Sequence, residues 1–155
     1  MPVIDIHAHL TPERFRRGVQ SSGVWHGMTS EEGELGNPRN SWSVAQRIEE
    51  MDSLGIDIQV VSSVDAFYRY EDDLSTAIAI AQDCNDEIAG MTRDHPSRFM
   101  GLCNLPMQDV SASIDELERG VTELGLKGAM INDHVNGKTY DAPEFRPFWL
   151  AAERL

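Results

Sequence analysis

Short apolar runs alternate with stretches of helical periodicity along most of this chain. Four runs rich in apolar and β-branched residues predict buried strands, and they cover residues 2–7, 56–63, 99–104 and 127–131. Apolar residues spaced three and four apart predict four helices, from about Ser43 to Gly55, over 72–94, over 110–124, and from about Asp141 to Leu155. The predicted order is therefore four strand–helix units, with one long connection inside the first.

Local signals fix the ends of several predicted helices. Ser43 followed three positions later by Gln46 is typical of a capping box, and Glu144 three positions after Asp141 indicates a similar start for the last helix. Gly55 suits the left-handed position that ends a helix.

Residues 11–42 show neither the strand nor the helix pattern. Glycine, serine, proline and asparagine are spread through them, so we expect a long irregular loop inserted after the first strand. A loop of that length in a compact domain is usually functional or partly disordered.

Strands that alternate with amphipathic helices predict parallel βαβ units. Two architectures fit: an open doubly wound sheet, and part of a (β/α)8 barrel. A dinucleotide-binding doubly wound fold needs a glycine-rich turn after its first strand, and here that position holds His-Ala-His-Leu-Thr-Pro. Polar residues also follow the predicted strands, as at the active-site rim of a barrel; Asp65, Asn104 and His134 are examples. We therefore favour the barrel.

Composition and charge exclude several classes of partner. The chain has 155 residues, a net charge of −13 and a pI near 4.6, whereas a nucleic-acid-binding surface needs clustered basic residues. No apolar stretch approaches the ~20 residues that cross a membrane, and no secretory signal opens the sequence. We therefore expect a cytoplasmic protein that binds neither nucleic acid nor membrane, with Cys84 and Cys103 reduced.

The strongest chemical signal is Val-Ile-Asp-Ile-His-Ala-His-Leu over residues 3–10. Alternate residues of a strand point to the same face, so His7 and His9 are expected to project together near the end of the first strand. Paired imidazoles suit a borderline-soft divalent cation such as zinc. Asp5 is predicted on the same face, where it could orient a ligand histidine. A strand that carries two histidines by chance is the alternative.

Several blocks of the sequence, taken in order, resemble one enzyme family. They include Ile-Asp-Ile-His-Ala-His, Arg-Ile-Glu-Glu-Met-Asp, Gly-Ile-Asp-Ile-Gln-Val-Val-Ser, Cys-Asn-Asp-Glu-Ile-Ala, Pro-Ser-Arg-Phe-Met-Gly, Leu-Pro-Met-Gln-Asp and Gly-Leu-Lys-Gly-Ala-Met-Ile-Asn-Asp-His. From about Val3 to Leu155 the chain resembles the amidohydrolase-related decarboxylases typified by aminocarboxymuconate-semialdehyde decarboxylase. The blocks indicate the family but do not specify a substrate.

This resemblance implies a metal-dependent (β/α)8 barrel, of which the chain carries about the first four strand–helix units. It implies that His7 and His9 ligate a divalent metal, usually zinc and sometimes manganese, together with a histidine and an aspartate from later strands. A whole barrel takes about 250 residues, so residues 1–155 are expected to be the N-terminal part of one domain. The catalytic acid is expected beyond Leu155. Alone, the half barrel is expected to be inactive, to bind metal weakly, and to form a homodimer or aggregate through its open edges.

The activity that the resemblance implies is non-oxidative decarboxylation of a small unsaturated or aromatic carboxylic acid. Arg39 is a candidate to pair with the substrate carboxylate, because a guanidinium binds a carboxylate through two hydrogen bonds. His134 is a candidate to line the substrate pocket. A solvated surface arginine and a histidine that fixes its own loop are the plainer interpretations of these two residues.

Two other functions remain open at this point. Metal-dependent hydrolysis or hydration on the same scaffold is the alternative activity. A non-catalytic half barrel that serves assembly is the alternative from another class, but such a module has no need of the His7 and His9 pair.

Overall fold

A computed structural model describes residues 1–20, 23–33 and 37–155 of the chain. The helices are α1 (Glu13–Val19), α2 (Ser30–Gly33), α3 (Val44–Leu54), α4 (Leu74–Asp94), α5 (Val110–Thr122) and α6 (Arg146–Arg154). The strands are β1 (Ile4–Leu10), β2 (Ile58–Ser63), β3 (Phe99–Gly101), β4 (His134–Val135) and β5 (Lys138–Thr139). Short 3-10 turns cover Pro38–Ser41, Asp65–Phe67 and Pro143–Phe145.

The strands β1, β2 and β3 form a parallel sheet in that order. Beyond β3, Cys103 and Ala129 form an isolated parallel bridge, and the Cys103 amide donates to the Gly128 carbonyl at 2.8 Å. The prediction of a strand over 127–131 is therefore wrong in extent, although the segment has the predicted place and direction. Gly128 has a φ of 137°, which interrupts extended backbone in the middle of this segment.

The boundaries of α3 confirm their sequence signals, whereas the predicted start of the last helix is wrong. Ser43 and Gln46 form a complete capping box, and Gly55 adopts the left-handed conformation with φ of 68°. The last helix begins only at Arg146 and has no side-chain cap. Glu144 instead pairs with Lys138 at 2.7 Å, because the 3-10 turn Pro143–Phe145 precedes the helix.

Residues 11–42 are not irregular throughout, contrary to the prediction. Their described residues contain α1, α2 and the 3-10 turn Pro38–Ser41. Phe15 and Val19 lie one helical turn apart on α1 and are both buried, where they join Phe67 and Ile80 in a second apolar cluster. Packing against α4 and the segment after β2 thus stabilises a helix whose own seven residues carry too weak a periodic signal to reveal it.

The main core lies between the sheet and the helices, and β1 forms an exposed edge. Val61 of β2, Met51 of α3 and Ile88 of α4 are fully buried together. On β1, by contrast, Ile6 is 74% exposed. The prediction that the first strand is buried is therefore wrong. Among the described helices, none combines the length and apolarity needed to cross a bilayer.

Candidate metal and substrate site

The two histidines of β1 converge on one point. Their Nε2 atoms are 2.9 Å apart, and their rings are nearly perpendicular, with centroids separated by 4.6 Å. Both residues lie within β1, which extends three residues further than the predicted first strand. Two nitrogens bound to one ion at about 2.0–2.1 Å lie about 3 Å apart when the bond angle is near 90–110°. The pair therefore has the geometry of two ligands to one metal ion.

The end of β2 holds the His9 ring in one orientation. His9 Nδ1 lies 3.2 Å from the Ser63 carbonyl oxygen and 3.0 Å from Ser62 Oγ. A carbonyl oxygen can only accept, so Nδ1 carries the proton in the tautomer that this contact favours. Burial, followed by the nearby charge of His7, lowers the pKa of His9. The imidazole is therefore neutral at neutral pH, with the Nε2 lone pair directed at the convergence point.

A bulge in β1 separates Asp5 from the histidine pair. Asp5 pairs with Gln59 and His9 pairs with Ser62, and the register shifts between Asp5 and Ala8. Gln59 and Ser62 are three residues apart on β2, so they point to opposite faces of the sheet. The expectation that Asp5 shares a face with the histidines is thus wrong.

Asp5 contacts the main chain of a candidate ligand rather than its ring. Its Oδ1 accepts from the His7 amide at 3.2 Å, and its Oδ2 accepts from Gln59 Nε2 at 3.0 Å. The extra residue of the bulge turns Asp5 away from the imidazoles. The Asp5 carboxylate therefore holds the main chain of β1 from the face of the sheet opposite the histidine rings.

Arg39 lines a cavity along the exposed edge of β1, which His7 and His9 line together with Asp5 and Arg47. This cavity has a volume of about 450 Å³, which is within the usual range for small-molecule sites. The Arg39 guanidinium pairs with Glu50 at 2.6 Å and lies 5.5 Å from the centre of the Trp42 ring. Its side chain is 55% exposed, so the guanidinium is accessible to solvent.

His134 lies in a neighbouring cavity and not beside the histidine pair. That cavity has a volume of about 380 Å³, and Asp65 contributes to the walls of both cavities. His134 Nδ1 lies 2.7 Å from Asp133, and this contact lowers the pKa of the Asp133 carboxyl. This placement is compatible with the prediction that His134 lines a pocket at the strand ends. His134 and Arg39 lie in different cavities and do not contact each other.

Sequence reasoning missed Arg47, which is 5% exposed and reaches the main chain of His9. A signal was present, because Arg47 falls one turn before Met51 and beside Val44 and Ile48 on the apolar stripe of α3. A charged residue within such a stripe is buried only when its donors find partners.

The histidine pair is an incomplete metal centre within the described part of the chain. There, no group of three or more histidine, cysteine, aspartate or glutamate side chains is placed to hold a metal ion. A catalytic zinc typically has three protein ligands, so two imidazoles supply only part of such a set.

Comparisons with known proteins identify the family and the fold of this chain. The family model described as amidohydrolase matches residues 4–155. Among curated proteins, the chain is 41% identical over 116 residues to 2-amino-3-carboxymuconate-6-semialdehyde decarboxylase of Dictyostelium discoideum. This alignment covers 75% of this chain and 32% of that protein. It is 36% identical over 100 residues to 2-keto-4-carboxy-3-hexenedioate hydratase of a Sphingobium species, covering 61% of this chain and 29% of that protein.

Solved structures match nearly the whole chain. A 2,6-dihydroxybenzoate decarboxylase from Rhizobium superposes with a TM-score of 0.78 at 27% identity, covering 99% of this chain and 47% of the solved one. A dihydroxybenzoic acid decarboxylase from Polaromonas sp. JS666, solved with bound manganese and the inhibitor 2-nitroresorcinol, gives the same values.

These matches identify the class of protein. The fold is part of a (β/α)8 barrel of the metal-dependent hydrolase type, as predicted. The chain belongs to the amidohydrolase family. It spans about a third of the length of the curated relatives named above and about half of the solved chains.

Proposed function

We propose that the protein carrying this chain is a metal-dependent, non-oxidative decarboxylase of a small aromatic or unsaturated carboxylic acid. The observation that carries the proposal is the 2.9 Å approach of the His7 and His9 Nε2 atoms, with His9 oriented through its Nδ1 by the Ser63 carbonyl. The decarboxylase activities for which the Dictyostelium and Rhizobium relatives are named support the choice of reaction.

In this proposal His7 and His9 are two protein ligands of a divalent metal. When bound there, such an ion would polarise substrate oxygens or lower the pKa of a bound water. Imidazole nitrogens suit zinc, whereas the Polaromonas structure carries manganese, so metal analysis has to distinguish the two ions.

We propose that Arg39 binds the substrate carboxylate and that Trp42 supports one face of the guanidinium. The substrate would replace or share the Glu50 contact, because Glu50 Oε1 lies 2.6 Å from the Arg39 guanidinium. His134 would line the outer part of the pocket, beyond Asp65.

Residues outside this chain would complete the site. Among the described residues no group of three or more candidate ligands is placed to hold a metal ion, so the remaining ligands and the proton donor would come from elsewhere in the protein. We also propose a homodimer in the cytoplasm; Cys84 and Cys103, which are both free and buried, support a reducing compartment.

The test replaces His9 by glutamine in the native-length protein. We expect metal content, measured by mass spectrometry of the purified protein, to fall at least tenfold, and carbon dioxide release from 2,6-dihydroxybenzoate or 2-amino-3-carboxymuconate-6-semialdehyde to fall more than a hundredfold. The matched control is His95→Gln, since His95 precedes β3 at the opposite end of the sheet. Metal retained by the His9→Gln protein, at the level of the control, would show that the assignment of ligands is wrong.

Hydration is the second candidate function, because one matched relative is a hydratase. The two reactions differ in their products: decarboxylation releases carbon dioxide, whereas hydration adds water to an alkene and leaves the carboxylate in place. Loss of alkene absorbance without carbon dioxide release, on an unsaturated dicarboxylate, would favour the hydratase and reject the decarboxylase.

A further inference from the structure

A continuous chain of hydrogen bonds runs behind β1 from one candidate ligand to the other. It begins at the His7 amide, which donates to Asp5 Oδ1, and Asp5 Oδ2 accepts from Gln59 Nε2 at 3.0 Å. Gln59 Oε1 then accepts from Arg47 Nη1 at 3.2 Å. The chain ends where Arg47 Nη2 donates to the His9 carbonyl at 2.7 Å. The hydrogen bonds that this chain makes to the two histidines are to their main-chain atoms.

Arg47 also connects this chain to the segment that carries Arg39. Its Nη2 atom lies 3.1 Å from the Arg39 carbonyl oxygen and 3.4 Å from that of Asn40. The Asn40 carbonyl in turn accepts from the Thr11 amide just after β1, at 2.7 Å. One guanidinium therefore contacts the strand of the proposed metal ligands, the segment of the proposed substrate-binding residue, and the side chain of Gln59 on β2.

The placement of this charge is costly for stability. Arg47 is 5% exposed, and its hydrogen-bond partners among the described residues are three carbonyl groups and one amide oxygen, with no carboxylate. Even a buried ion pair can often be replaced by apolar residues of similar volume without loss of stability, so the burial of Arg47 is weak evidence that this side chain stabilises the fold. The contacts that Arg47 makes are therefore better explained by the geometry they impose than by the stability they provide.

We propose that Arg47 is a positioning residue of the active site: through Gln59, Asp5 and the His9 carbonyl it fixes the main chain of both metal-ligating histidines and holds the segment of Arg39 beside them. This inference rests on the proposed function, since it needs a metal at His7 and His9. Residues that orient metal ligands from behind typically change metal affinity by 10–100-fold when they are replaced.

The experiment compares Arg47→Met with Arg98→Met in the native-length protein. Arg98 is the matched control, because its guanidinium also binds two main-chain carbonyls, those of Ile56 and Asp57 just before β2, but contacts neither His7 nor His9 nor the Gln59 side chain. Zinc and manganese affinities are measured by competition with a chelator, and the cobalt-substituted proteins are compared by visible absorption, which reports ligand geometry. Urea unfolding of each variant measures the change in stability separately.

We expect Arg47→Met to lower metal affinity at least tenfold and to change the cobalt spectrum, and Arg98→Met to leave both within twofold of the original protein. Arg47→Lys should give an intermediate affinity, because one ammonium can reach the His9 carbonyl but cannot bind Gln59 and the Arg39 segment at the same time. If Arg47→Met does not fold, Gln59→Leu breaks the same chain while leaving the arginine in place, and it should also lower affinity.

Two failures can be told apart. The first is that the folded Arg47 and Gln59 variants keep the original metal affinity and cobalt spectrum, while His9→Gln still loses metal. That result would overturn the role of Arg47 and leave the proposed function standing. Absence of any metal bound by His7 and His9 in the original protein would overturn the proposed function, and this inference with it.

Discussion

Adding one methyl group at two helical glycines should change stability in opposite directions. A Cβ placed on Gly120 of α5 would lie 2.2 Å from Cys103 Sγ, whereas a Cβ on Gly90 of α4 meets only Arg93 Nη2, at 3.7 Å. Alanine gains about 1 kcal/mol over glycine in a helix interior, so Gly90→Ala should raise the free energy of unfolding by about 0.5–1 kcal/mol.

At Gly120 the same gain is outweighed by overpacking. Forcing extra volume into a packed core costs about 1–3 kcal/mol, and the upper part of that range applies because Cys103 is fully buried and its main chain bonds to Gly128 and Met130. We therefore expect Gly120→Ala to lower the free energy of unfolding by about 1–2 kcal/mol.

Urea unfolding measures both variants, with stability read from the midpoint at an unchanged dependence on denaturant. Cys103→Ala provides a further check, because it removes the sulfur that the new methyl group would meet. In that background, the cost of Gly120→Ala should fall by at least ~1 kcal/mol, since residues in contact are not additive. Equal stability of the Gly90→Ala and Gly120→Ala proteins would refute the reasoning.

Two further predictions concern buried groups of the core. Burial raises the pKa of the Cys84 thiol strongly and that of the Cys103 thiol to about 12. Neither cysteine should therefore react with a maleimide at pH 7.5 until the protein is unfolded. Rapid labelling of the native protein, measured by mass spectrometry, would contradict this. Asn85→Ala should lower the free energy of unfolding by about 2–4 kcal/mol. The reason is that Asn85 accepts from the Asn104 amide at 2.7 Å and donates to the Glu116 carboxylate at 2.6 Å. An unchanged melting temperature in calorimetry would contradict this prediction.

Elements with local signals could be predicted from the sequence. The capping box of Ser43 and Gln46 and the left-handed Gly55 need only neighbouring residues, and both are confirmed. The alternation of strands and periodic helices was enough to predict the parallel sheet, because each amphipathic helix must cover a strand. The convergence of His7 and His9 follows in the same way from the two-residue period of a strand.

Features that depend on distant partners could not be predicted. The β1 bulge depends on Gln59 and Ser62, more than fifty residues away, and this is why the face of Asp5 was predicted wrongly. The helix α1 depends on its packing in the second apolar cluster. Asn104, expected at the rim, is 1% exposed and binds the Phe67 carbonyl instead, because a polar residue after a strand can turn inward as well as outward.

The bulge in β1 also determines which sequence changes this strand can accept. Before the bulge, Ile4 and Asp5 are registered to Ile58 and Gln59; after it, Ala8 to Leu10 are registered to Val61 to Ser63. Between Asp5 and Ala8 the strand β1 has two residues where β2 has one, so deletion of one of the two would remove the bulge and leave both registers intact. His7 is a candidate ligand, and Ile6 is therefore the residue that this strand can lose while Asp5 keeps Gln59 and His9 keeps the carbonyl that orients its ring. At Ile6, which is 74% exposed, the strand tolerates a change of length as well as a change of side chain.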